Sequence, residues 1–64
     1  MAVRWSPVFY STQEILNMNN QDLLTAFEGS VADEAHAEIQ RGKVPMKLSK
    51  QTEFIRGVLV SRLK

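Results

Sequence analysis

Between Asn20 and Gly42 the chain carries helix punctuation at both ends and no proline in between. Asn20, or Asn19 before it, supplies the side-chain acceptor of an N-cap, and Asp22 in the first turn suits the positive end of the helix dipole. At the other end Arg41 places a cation in the last turn and Gly42 is free to take the left-handed cap. The enclosed segment predicts a helix of about 30 Å. Its apolar residues at helical spacing are Leu23, Leu24, Phe27, Val31, Ala35 and Ile39. At 100° per residue they fall within an arc of about 160°, so the helix needs a partner along most of its length. Phe27 is the bulkiest side chain of that arc, and its truncation to Ala is expected to cost about 3–5 kcal/mol. Asp22, Asp33, His36 and Gln40 take the opposite face. Gly29, next to Ser30, costs the helix about 1 kcal/mol relative to Ala. It marks either a kink or a close backbone approach.

A second helix follows. Gly42 to Leu48, with Pro45, reads as the connection, and Ser49 as the cap of a helix from Lys50 to about Arg62. Its apolar arc is Phe54, Ile55, Val58, Leu59 and Leu63, with Gly57 on the polar side. Upstream, Ser11-Thr12-Gln13-Glu14 has the form of a capping box, and Tyr10 before it can pack on Ile15 as a hydrophobic staple. Asn17, Asn19 and Asn20 end that helix early, because Asn bonds its own backbone in competition with the helix. Ser6-Pro7 fits either a single helical turn or an extended arm. No segment alternates with period two, so strands are not expected. The reading is all-α, one domain over 1–64: an aromatic arm (1–10), a short helix (11–18), an acidic helix (20–41) and a basic helix (49–63). The two long helices form a hairpin.

A chain of 64 residues without cysteine has no disulfide to support a small core, and its stability margin is thin. No apolar run approaches the roughly 18 residues of a membrane span, and a cytoplasmic setting is expected. The net charge of +1 conceals two opposed halves. Residues 1–39 hold one base, Arg4, against Glu14, Asp22, Glu28, Asp33, Glu34 and Glu38, a net of −5. Residues 40–64 hold Arg41, Lys43, Lys47, Lys50, Arg56, Arg62 and Lys64 against Glu53, a net of +6. Antiparallel packing of the two long helices would set these fields side by side.

Catalytic chemistry finds few parts here. His36 is the only histidine and sits on a polar helix face, without the partners that a metal site or triad requires. Asp33 and Glu34 beside it are ordinary surface acids. There is no HExxH, P-loop or nucleophile elbow, and the three glycines are scattered. No enzyme, cofactor or metal is expected, which leaves binding. The N-terminal Trp5, Phe9 and Tyr10 either complete the core or anchor a protein partner, for which Arg56 and Arg62 would add charged contacts. The alternative is DNA or RNA bound by Arg41, Lys43, Lys47 and Lys50, which a steep salt dependence would reveal. A further alternative is self-assembly, two hairpins forming a four-helix bundle with Leu23, Phe54 and Val58 toward the second chain.

The residues Asp22-Leu23-Leu24, Phe27-Glu28, Val31-Ala32-Asp33-Glu34, Arg41-Gly42-Lys43-Val44, Ile55-Arg56 and Ser61-Arg62-Leu63 resemble a type of small helical protein encoded by phages and prophages of Gram-positive bacteria. The likeness spans residues 20–64 and carries no catalytic residues. It implies an accessory or inhibitory protein, acting in the host cytoplasm by occupying the surface of a host or phage macromolecule. Gly29 and Gly57 depart from the uninterrupted helices of that type.

Overall fold

The computed structural model describes residues 6–63. They form three helices, α1 (Thr12–Asn17), α2 (Asn20–Arg41) and α3 (Met46–Leu63), with no strand among the described residues. α2 and α3 pack as a hairpin, and α1 lies across one side of its open end. Ser6 to Ser11 precede α1 without helical structure, so Ser6-Pro7 opens no turn.

The termini are set by the residues the sequence singles out. The Ser11 hydroxyl accepts from the Glu14 amide while the Glu14 carboxylate accepts from the Ser11 amide, both at 3.1 Å. Tyr10 packs against the cluster containing Ile15, completing the staple. Asn19, not Asn20, caps α2, its side-chain oxygen 2.7 Å from the Asp22 amide. Gly42 ends α2 at φ 77° and ψ 0°, the left-handed conformation, and its amide bonds the Glu38 carbonyl.

The last helix begins a turn earlier than Ser49. Pro45 provides the first carbonyl of α3, accepting from the Leu48 and Ser49 amides at 3.1 Å each. Proline fits a helix start because its fixed φ is already helical and its missing N–H is not required there. Ser49 is therefore an interior residue and the connection shrinks to Gly42–Pro45. The added turn carries Leu48, which is fully buried.

The core corrects the apolar arcs. Buried along α2 are Leu23, Ala26, Ser30 and Ala37, with Phe27, Asp33 and Glu34 half-buried; along α3 they are Leu48, Gln51, Thr52 and Ile55, with Val58 and Leu59 half-buried. Steps of three and four alternate, giving a mean near 3.5 residues, the period of two helices that stay in register along a shared seam. The arc of large residues advanced in steps of four and drifted off that seam. Leu24, Val31, Ala35 and Ile39 are exposed, Ile39 by 82%. In α3, Phe54 and Leu63 are exposed as well. Small side chains at Ala26, Ser30 and Ala37 take their places and let the two backbones approach.

Neither Gly29 nor Gly57 breaks its helix, and no atom lies within 4 Å of where a Cβ would stand on either. A close approach does not explain them. Gly29→Ala should stabilise the protein by about 1 kcal/mol, raising Tm by about 4–8 °C. Gly42→Ala should lower Tm, since its φ is positive. Thermal unfolding followed by circular dichroism checks both signs.

Candidate functional site

The side of the hairpin that carries α1 also carries the N-terminal arm, and one glutamine holds the arm there. Gln51 is buried on α3. Its Oε1 accepts from the Tyr10 amide at 2.8 Å, and its Nε2 donates to the Val8 carbonyl and to the Ser30 hydroxyl at 3.0 Å each. The side-chain amide thus brackets Phe9 as a residue on a parallel strand would, bonding the carbonyl before it and the amide after it. Asp33 adds a second tie, accepting from the Val8 amide at 3.1 Å. Asp33 is half-buried beside the arm, not on a free polar face.

This fixes where the aromatic residues stand. Tyr10 is half-buried against the core cluster, whereas Phe9 is 41% exposed with the Lys47 ammonium 4.8 Å from its ring centre. That distance is within cation–π range, where an exposed pair contributes about 0.5–1 kcal/mol. Trp5 lies outside the described residues.

Between α1 and α3 lies an apolar groove of about 500 Å³, lined by Leu16, Phe54, Gly57 and Val58 together with Glu53, Ser61 and Arg62. Arg62 closes the end of the groove. Its guanidinium donates to the Met18 carbonyl at 2.6 Å, the Leu16 carbonyl at 3.2 Å and Asn20 Oδ1 at 3.1 Å. These are the carbonyls that α1 leaves unpaired at its C-terminal end, and a cation there also complements the dipole. Arg62 therefore ties the α1–α2 corner to the end of α3. Arg56 is exposed and lies outside the groove.

The basic residues near the connection belong to different elements. Arg41 ends α2, Lys43 is in the connection, and Lys47 and Lys50 lie in the first turns of α3, beside a smaller hollow shared with Tyr10, Thr12 and Phe54. No cluster of three or more His, Cys, Asp or Glu able to hold a metal occurs among the described residues. None of their helices is long and apolar enough to cross a membrane.

No protein-family model, curated protein or solved structure matches this chain. The site therefore rests on its own geometry. Two of its residues carry little sequence signal. Gln51 reads as a solvated polar position in an amphipathic helix, and Gly57 reads as a blemish on a polar face. Leu16 could have been found, since a large apolar side chain in a six-residue helix beside Ile15 cannot share its neighbour's burial.

Proposed function

We propose that the chain is a non-enzymatic protein-binding module, an accessory or inhibitory protein of phage type that occupies the surface of a host or phage macromolecule. The observation that supports this is the groove between α1 and α3. It is apolar, open to solvent, and floored at Gly57, where the helix forgoes about 1 kcal/mol relative to Ala without any internal contact requiring it. An apolar side chain from a partner helix or loop fits such a floor. Phe54 and Leu16 form the walls, Phe9 continues the aromatic surface along the arm, and Arg62 supplies a charged rim.

Filling the groove tests the proposal without emptying the core. Gly57→Phe should fold at least as stably as the parent, because Phe has a higher helix propensity than Gly in an exposed helix interior. Affinity capture from a Gram-positive host lysate should retain a discrete protein on the parent chain and lose it on Gly57→Phe. Equal capture by both would remove the groove from the proposal, and retention of no specific protein would remove the binding function.

A further inference from the structure

α1 and the arm cover only one side of the hairpin. Asp33 and Lys47 mark that side through their contacts with the arm. Leu24 and Arg56 each lie nine residues from one of them, half a turn around their helices, and so mark the opposite side. Along it, α2 presents Leu24, Phe27 and Val31, at the i, i+3, i+7 positions of one face, and α3 presents Arg56, Leu59 and Leu63 in the same way. Leu24 and Val31 are about half exposed and Leu63 is 85% exposed. At the open end Leu24, Leu59 and Leu63 surround a hollow of about 240 Å³ with Asn20 and Arg62. No described element packs over these residues.

We infer that this bare side is the contact surface for a second copy of the chain, forming a four-helix bundle with its two-fold axis parallel to the helices. Charge selects both the occupant and the axis. On its bare side α2 carries Glu28, Glu34 and Glu38, spaced three, four or seven residues from Leu24, Phe27 and Val31, and α3 carries Arg56 with Glu53 three residues before it. Two hairpins stacked side to side have two symmetric choices. A two-fold axis across the helices stacks α2 on α2, acid against acid. The axis along the helices stacks α2 of each copy on α3 of the other, opposing those acids to Arg56.

The same choice keeps the apolar ends together. The bonds of Arg62 to Asn20 and Gln51 to Ser30 fix the hairpin register. They set Leu24 level with Gly57 and Val58, next to Leu59, and Arg56 level with Thr25 and Ala26, about 4 Å along the axis from Glu28. Under the longitudinal axis, Leu24 of one copy meets Leu59 and Leu63 of the second copy, and Arg56 meets Glu28. Every helix then has antiparallel neighbours, the arrangement of up-down bundles.

Sedimentation equilibrium across concentration tests this, with circular dichroism confirming that each variant remains helical. The parent should dimerise with Kd in roughly the micromolar range. Leu24→Glu should raise Kd at least about tenfold, since it places two charges in the apolar end. Arg56→Glu and Glu28→Arg should each weaken the dimer, and the two changes in one chain should restore it. A dimer strengthened by Glu28→Arg alone would indicate stacking of α2 on α2 and overturn the axis. A parent that stays monomeric at all concentrations, or Leu24→Glu dimerising like the parent, would overturn the proposal. The groove at Gly57 lies on the other side, so Gly57→Phe should leave the dimer unchanged, and failure here does not bear on partner capture there.

Discussion

Leu23→Ala should unfold much of the population at room temperature. Leu23 has no exposed surface, and it meets Ile15, Ala26 and Ile55 where all three helices converge. Removing a buried leucine side chain costs about 2–5 kcal/mol, the transfer term plus the cavity left behind. A domain of this length has a total stability of about 3–10 kcal/mol. The loss is a large share of that margin, and no disulfide makes it up. Phe27 provides the contrast. It packs against the same cluster but is only half-buried, so Phe27→Ala should cost about 1–2 kcal/mol from the area it covers, less than its membership of the apolar arc suggested. Urea unfolding of both variants, followed by far-UV circular dichroism, ranks them. A Leu23→Ala loss below 1 kcal/mol beside a Phe27→Ala loss above 3 kcal/mol would place the seam on the wrong residues.

That reversal shows what was legible in the sequence. Helix ends were, because caps are local chemistry: Ser11 with Glu14, Asn19 with Asp22, and Gly42 each satisfy backbone groups within a few residues of themselves. The hairpin and the all-α class follow from two long capped segments with apolar stripes. The buried face was legible only in part: Leu23 and Ile55, members of the two apolar arcs, are fully buried, but most of the other large apolar residues do not follow them inside. Ala26, Ser30, Ala37 and Thr52 carry little hydrophobic weight, yet they are buried because the backbones can approach there. Leu24, Val31 and Ile39 carry more weight and remain outside. Ser49 drew attention from Pro45 for a similar reason: a side-chain cap is recognisable in sequence, whereas a proline that starts a helix resembles one that ends a loop. In the candidate site, Phe9 was found from its aromatic setting. Gln51 was not, since its partners are 21 to 43 residues away and no local pattern announces them.

Gln51 also supports the second large effect. Gln51→Leu keeps the volume and removes all three hydrogen bonds, leaving the arm to the Asp33 hydrogen bond and the side-chain contacts of Phe9 and Tyr10. Two consequences should separate cleanly. The buried Ser30 hydroxyl loses the one partner it has across the seam, and an unsatisfied buried group costs about 1–3 kcal/mol of global stability. The Val8 carbonyl and Tyr10 amide, by contrast, lie on an arm free to lift into water, so their loss appears as local opening instead of global unfolding. Amide exchange measured by NMR should show the Tyr10 amide about 10- to 100-fold less protected, each factor of ten corresponding to about 1.4 kcal/mol. Adding Ser30→Ala removes the stranded hydroxyl, and should recover part of the global stability while leaving the Tyr10 amide unprotected. Tyr10 protection that survived Gln51→Leu would mean that side-chain packing, not the glutamine, seats the arm. If the arm does lift, Phe9 loses its fixed position beside Lys47. Capture of a partner at the groove should then weaken even though Leu16, Phe54 and Gly57 are untouched, because an aromatic contact held in place costs less to use than one that must first be ordered.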